Sequence, residues 1–132
     1  MTFIAVAFET RQPSLSIADF TDYYDNVHVP IIKAATGSAF PQSHTRYYLK
    51  RKSSDPTHPD HALPLAFLGD AQDFDYDAIV FLTFASEAHF NEFQAKYGDP
   101  EVAAKIGASA DKFILQTKLR VVGVQSPHTT TA

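Results

Sequence analysis

TFIAVAFET, residues Thr2 to Thr10, is apolar nearly throughout, carries aromatic or β-branched side chains at several positions, and is closed by Arg11, Gln12 and Pro13. A run of that length and content predicts a strand buried on both faces. The pattern changes at once beyond it. Ser16 can cap a helix with Asp19 three residues on, and Phe20, Tyr24, Val27 and Ile31 recur at helical spacing on one face. Asp19, Asp22 and Asn26 occupy the opposite face. Pro30 has no N–H to donate and pushes Val29 towards extended backbone, so the helix is predicted to end or kink just after His28.

Thr36, Gly37, Ser38 and Pro41 punctuate the chain before HTRYYLKR, His44 to Arg51, which reads as a second strand. Alternation puts His44, Arg46, Tyr48 and Lys50 on one face, and Thr45, Tyr47, Leu49 and Arg51 on the other. Residues 53–75 are irregular, with Pro56, Pro59 and Pro64 near an apolar patch, Leu63 to Leu68, that suits a short strand or a flap. DAIVFLTFA, Asp77 to Ala85, is the third strand. Ser86 caps a helix through about Tyr97, Asp99-Pro100 opens a shorter helix ending at Gly107, and Lys118 to Val124 forms the fourth strand.

Two consecutive β–α–β halves predict an α+β, ferredoxin-like domain over residues 1–125, with a four-stranded antiparallel sheet and two main helices on one face. The Ser/Pro/Thr-rich residues 126–132 are expected to be a disordered tail. An apolar sheet face turned to water is unfavourable, and a second copy of the sheet is the simplest cover, so a homodimer is expected.

Composition narrows the functional classes. The chain has 132 residues, 45% of them apolar, with 11 Phe and 6 Tyr, enough for a substantial core. It has no Cys, which excludes disulfides, a thiolate nucleophile and Cys-ligated metal sites. A formal charge of -4 and the lack of a basic face beyond Lys50, Arg51 and Lys52 argue against nucleic-acid binding. No segment has the continuous apolar length of a membrane span, and Met1 to Thr10 has no basic n-region, so a soluble cytoplasmic protein is expected.

Tyr23-Tyr24-Asp25-Asn26-Val27-His28-Val29-Pro30 resembles the Tyr-rich helix ending in His-x-Pro of EthD-domain proteins. Phe40-Pro41, His44-Thr45-Arg46-Tyr47-Tyr48, the Gly69-Asp70 to Asp77 approach, and Phe84 followed by Phe90 and Phe93 are similar to fungal members. Pro100-Glu101, the Ala/Gly turn and Asp111-Lys112-Phe113 resemble the family's closing segment, so the likeness covers about residues 3–124. Ser109-Ala110-Asp111 departs from the more acidic run expected there. The resemblance implies a dimeric α/β barrel and a cofactor-free dehydratase or decarboxylase acting on an aromatic polyketide intermediate of secondary-metabolite biosynthesis.

Eliminating water from a β-hydroxy ketone needs one group to take a proton beside the carbonyl and another to protonate the departing hydroxide. Histidine does both near neutral pH. His28 is the candidate acid/base, expected to favour imidazolium at a helix C-terminus, with Asp25 orienting a ring nitrogen and Tyr24 on the same side. The plainer alternative is that His28 ends the helix and hydrogen-bonds a carbonyl. Arg46 and Tyr48 hold a developing oxyanion if their face turns to the helices, with Tyr47 the competitor if it does not. Tyr24, Phe8 and Phe84 are candidates to line a pocket for a flat ligand, although a Phe stripe is also core material.

His89 is expected to face solvent. His58, Asp60 and His61 have metal-ligand chemistry but no distant third partner, so no metal is expected. No phosphate cradle, dinucleotide fingerprint or nucleophile elbow appears, so no nucleotide or flavin cofactor is expected either. Beside the lyase stand three alternatives within this reading: a decarboxylase, a cofactor-free monooxygenase, and a non-catalytic dimer that binds a hydrophobic ligand, including haem with His28 as axial ligand.

Overall fold

The computed structural model describes residues 2–132. Strands β1 (Phe3–Glu9), β2 (Ser43–Tyr48), β3 (Ala78–Phe84) and β4 (Arg120–Val124) form one antiparallel sheet in the order β2-β3-β1-β4. Helices α1 (Ile17–Tyr23), α2 (Val29–Thr36), α3 (Glu87–Tyr97) and α4 (Pro100–Ala110) pack together on one face. This is the ferredoxin-like, two-half topology expected from the element order.

Register decides which side chains can meet. Ala7 lies opposite Val80 and Val121, Glu9 opposite Ala78, and Tyr48 opposite Ala78 on the other side. Side chains alternate along a strand, so Phe3, Ala5, Ala7 and Glu9 share the helix-facing side with His44, Arg46 and Tyr48. Ile4, Val6, Phe8, Tyr47, Ile79, Phe81, Val122 and Val124 share the far side, and both core clusters lie wholly on the helix side.

Two aromatic hubs hold the helices to the sheet. Phe113, fully buried, has its ring centroid 5.8 Å from Phe20, 5.2 Å from Tyr23, 4.9 Å from Tyr24 and 4.6 Å from His28. Phe84, also fully buried, packs against Phe90 at 5.2 Å and Phe93 at 5.3 Å. Phe84 is therefore core, and Phe8 packs edge-on against Tyr76 on the far side of the sheet. Neither lines the cavity described below, which corrects the ligand-binding role expected of both.

The helix after Ser16 does not end at His28. Ser16 Oγ accepts from the Asp19 N–H, as expected of an N-cap, but the helix then widens into a π turn over Tyr24–His28 and continues as α2 to Thr36. There the Val29 N–H bonds the Tyr24 carbonyl, five residues back. The inserted residue shifts the register just where Pro30 can neither donate nor tolerate a carbonyl against its ring. Gly37, at φ 56°, stops α2.

Other boundaries move as well. β2 stops at Tyr48 instead of Arg51, because the chain beyond it pairs with the loop: Lys52 N–H bonds Leu63 O and Leu65 N–H bonds Lys50 O. The Leu63 to Leu68 patch thus begins as a short extended arm and ends with Phe67 and Leu68 each 90% exposed. Helix α4 runs through Gly107 to Ala110, where buried Ile106, Ser109 and Ala110 secure its last turns. Residues 126–132 are exposed and without regular structure.

Candidate active site

A cavity of about 360 Å³ opens between the sheet and the helices. Ala5, Ala7 and Val80 give it a flat apolar floor, and Ile32, Leu82, Phe90 and Phe93 wall it. Its size lies at the lower end for ligand pockets, and its lining is mostly apolar with a few convergent polar groups. Those groups include Glu9 from β1, Tyr24 and His28 from the π turn, and His44 from β2, with Gln94, Tyr97 and Gln116 also on the lining.

The π turn is what points Tyr24 and His28 inward together. Both are buried, at 2% and 3% exposure, and their rings meet edge to face at 5.7 Å. His28 Nδ1 lies 2.8 Å from Ser109 Oγ, which lies 3.1 Å from the Tyr23 hydroxyl. A Tyr23–Ser109 pair, not Asp25, therefore orients the imidazole, correcting the partner expected from sequence. Its charge state is corrected too. Without a helix C-terminus or a carboxylate beside it, burial lowers His28 from 6.5 to about 4, so the ring is neutral at pH 7.

His44 is held from the other side. Arg46 Nη1 lies 2.9 Å from His44 Nδ1 and 3.1 Å from its carbonyl. A guanidinium only donates, so Nδ1 is an acceptor and the neutral ring carries its proton on Nε2. Burial, then the Arg46 charge, lowers His44 to about 4. His44 thus presents a fixed, uncharged N–H donor.

Asp25, Arg46 and Tyr48 do come together, but beyond the cavity wall. Asp25 Oδ1 accepts from Arg46 Nε at 2.8 Å and from the Tyr48 hydroxyl at 2.6 Å, while the guanidinium carbon lies 5.7 Å from the Tyr24 ring centroid. None of the three lines the cavity. The Tyr48 face does turn to the helices, and Tyr47 is 57% exposed on the far side. Burial, then the Asp25 carboxylate, pushes the Tyr48 hydroxyl well above its ordinary range.

Glu9 is the group that the sequence reading missed. It ends an apolar strand, and only strand parity, placing it with Ala5 and Ala7 on the inner side, could have marked it. Its side chain is 6% exposed and its Oε2 has no hydrogen-bond partner. Burial raises the carboxyl from 4.5 to about 7, against the opposing influence of the Tyr24 hydroxyl and the Arg46 charge. Tyr24 is raised well above 10 by burial and by Glu9.

Three other histidines, His58, His61 and His89, are structural. His89 is partly buried instead of solvent-facing: its Nδ1 accepts from the Ala85 N–H at 3.0 Å and its Nε2 reaches Phe40 O at 3.1 Å. His58 Nδ1 caps the Asp60 N–H, and His61 Nδ1 reaches Ser53 O. Among the described residues, no group of three or more His, Asp or Glu side chains is placed to hold a metal ion, and no helix is long and apolar enough to cross a membrane.

Comparison with known proteins places this fold. Among solved structures, an ethyl tert-butyl ether D (EthD) family protein of Bacillus halodurans is 14% identical, with 95% of this chain and 99% of that one covered at a TM-score of 0.54. An EthD-like protein of Ralstonia eutropha is 16% identical over 92% and 89% of the two chains, at a TM-score of 0.52. A dimeric protein of unknown function with a ferredoxin-like fold from Bacteroides fragilis is 6% identical over 95% and 96%, at 0.51. No curated protein matches the chain. The EthD domain matches residues 12–117, which run from the approach to α1 to just before β4, and the chain belongs to the EthD domain family.

Proposed function

We propose that the protein is a cofactor-independent lyase, a dehydratase acting on a flat aromatic polyketide-type β-hydroxy ketone, and that it works as a homodimer. The observation that supports this is the apolar cavity into which two neutral imidazoles project, each with Nδ1 engaged and Nε2 without a protein partner. A neutral His28 that donates its Nδ1–H to Ser109 Oγ presents an Nε2 lone pair as base. His44, locked by Arg46, presents an N–H to the carbonyl oxygen as negative charge develops on it. The oxyanion role expected of Arg46 and Tyr48 thereby passes to His44, with Arg46 as its positioning residue.

The decarboxylase reading needs a free cation to seat the substrate carboxylate. Arg46 is committed to Asp25 and His44, off the cavity wall, which favours dehydration. The cavity holds a two- or three-ring system more readily than a larger ligand. A dimer would cover the far sheet face, where Val122 and Val124 are 51% and 43% exposed beside Ile4, Val6 and Phe81. The Bacteroides fragilis protein, similar in fold, is described as dimeric.

Three probes separate the readings by mass spectrometry: 3-hydroxy-1-tetralone, which aromatises to 1-naphthol on loss of water; 1-hydroxy-2-naphthoic acid, which can lose carbon dioxide; and anthrone, which can gain oxygen. Loss of water from the tetralone, absent with His28→Ala, is the expected result. Turnover only of the second or third probe would move the chain to decarboxylation or oxygenation. Binding without any turnover would make it a ligand-binding module. Analytical ultracentrifugation of wild type and Val122→Glu tests the dimer, which the charge should dissociate.

A further inference from the structure

We infer that Glu9 is the acid of this site: its carboxyl protonates the departing hydroxyl, so that His28 and Glu9 divide the proton transfers of one turnover between them. The inference deepens the lyase reading and rests on it.

The geometry comes first. Glu9 is more than nine-tenths buried, lines the same cavity as His28 and His44, and leaves Oε2 without a partner. Buried polar atoms are nearly always satisfied, and an oxygen shut off from solvent with no donor beside it favours the protonated carboxyl of a residue that lines the cavity. Strand β1 fixes the carboxyl in position, since Glu9 O accepts from the Asp77 N–H at 2.7 Å and the strand pairs on both edges. The groups facing it are Tyr24 from the π turn, Arg46 from β2 and Tyr97 from α3, while His28, His44, Gln94 and Gln116 line the cavity with it.

Charge then assigns the role. Both imidazoles are neutral down to about pH 4, so neither carries a spare proton for a leaving group at neutral pH. Tyr24 is too weak an acid to supply one. A carboxyl titrating at about 7 is half protonated there and matched to proton transfer near physiological pH.

The step balances without an outside reagent. His28 Nε2 takes the proton from the carbon next to the carbonyl, and that C–H pair becomes an enolate with its oxygen on the His44 N–H. The enolate collapses to form the C=C bond as the C–O bond breaks. The C–O pair leaves on oxygen, which takes the Glu9 proton and departs as water. Imidazolium His28 and carboxylate Glu9 remain, and one proton passed from the first to the second, through solvent at the open mouth, resets the site.

The chain has four glutamates, so carbon-13 labelling at Cδ gives a spectrum simple enough to assign by substitution. One resonance should titrate near pH 7 and be missing from Glu9→Gln. A Glu9 resonance titrating near 4.5 would overturn the inference, with no substrate involved. With 3-hydroxy-1-tetralone, Glu9→Gln should lower kcat by about 100-fold or more with KM little changed, and should abolish the alkaline limb near pH 7. Glu9→Asp, which keeps an acid one methylene further back, should recover part of the rate, and circular dichroism checks that both variants fold.

Wild-type kcat in Glu9→Gln, beside an active wild type and an inactive His28→Ala, would overturn the role of Glu9 and leave the lyase reading standing. An inactive wild type would overturn both, even with the resonance near 7.

Discussion

Tyr24 and Asp25 are neighbours in the chain, yet they belong to two regions with opposite electrostatics. On the Tyr24 side, Glu9, His28 and His44 stand around an apolar cavity with no ion pair, and burial drives all three towards their uncharged forms. On the Asp25 side, Arg46, Asp25 and Tyr48 form a half-exposed cluster in which the charges persist because they are paired. The π turn presents both, one residue apart. Neutrality by desolvation leaves groups able to exchange protons, whereas ion pairing fixes protons in place, so the proposed chemistry falls to the first region and positioning to the second.

The sharpest test of that division is His28→Ala. Removing the base should lower turnover by about 10²- to 10⁴-fold, while sedimentation and circular dichroism remain those of wild type. Equal loss on Asp25→Asn or Tyr48→Phe would break the comparison. Phe113→Ala attacks what both regions share, the ring that backs Tyr24 and His28. It should destabilise by about 3–5 kcal/mol in urea denaturation, the usual cost of emptying a buried Phe site.

The pH dependence of stability separates the two regions without any substrate. For Glu9 the folded value, about 7, exceeds the unfolded 4.5, so the folded state binds more protons between those values and loses stability as pH rises through them. His28 and His44 act in the other sense: lowered from 6.5 to about 4, they contribute stability present above 6.5 and lost as pH falls to 4. Glu9→Gln removes only the first effect. Its stability relative to wild type should be flat below about pH 4.5, climb by on the order of 3 kcal/mol by pH 7, and level off above. A difference that stays flat throughout would mean that Glu9 is charged and that the cavity is not the uncharged region described.

Much of the fold follows from local pattern. The apolar runs at Thr2 to Thr10 and Asp77 to Ala85, the Ser16, Ser86 and Asp99 caps, and the alternation of His44 to Tyr48 all lie where the sequence places them. The site was legible in part. Tyr24 and His28 reach the cavity, but Pro30 suggested a helix end where an inserted π residue lets the helix run on, and this misjudged both the charge of His28 and its partner. Ser109 lies 81 residues from His28, and no short-range pattern connects them. Glu9 was hidden because an acid at the end of an apolar strand looks like the strand's boundary. Only the tertiary cover of helices makes it buried.

The smallest predicted effect is also the most discriminating. Asp25→Asn removes the charge that Arg46 and Tyr48 share, but Arg46 is partly exposed and can be hydrated, so the stability cost should be about 0–1 kcal/mol. Arg46 keeps its bonds to His44 Nδ1 and to the His44 carbonyl, so the N–H that His44 presents to the cavity should survive and turnover should change by a few-fold at most. What should change is the field. With Asp25 neutral, the Arg46 charge acts on Glu9 with less opposition and favours its carboxylate, so the alkaline limb of the rate profile should move below 7, while the acid limb near 4, set by the burial of His28, should stay in place. A pH–rate profile of Asp25→Asn shows both limbs at once. An alkaline limb that moves alone would mean that the cluster tunes the cavity through Arg46, and an unmoved profile would mean that the two regions are electrically independent.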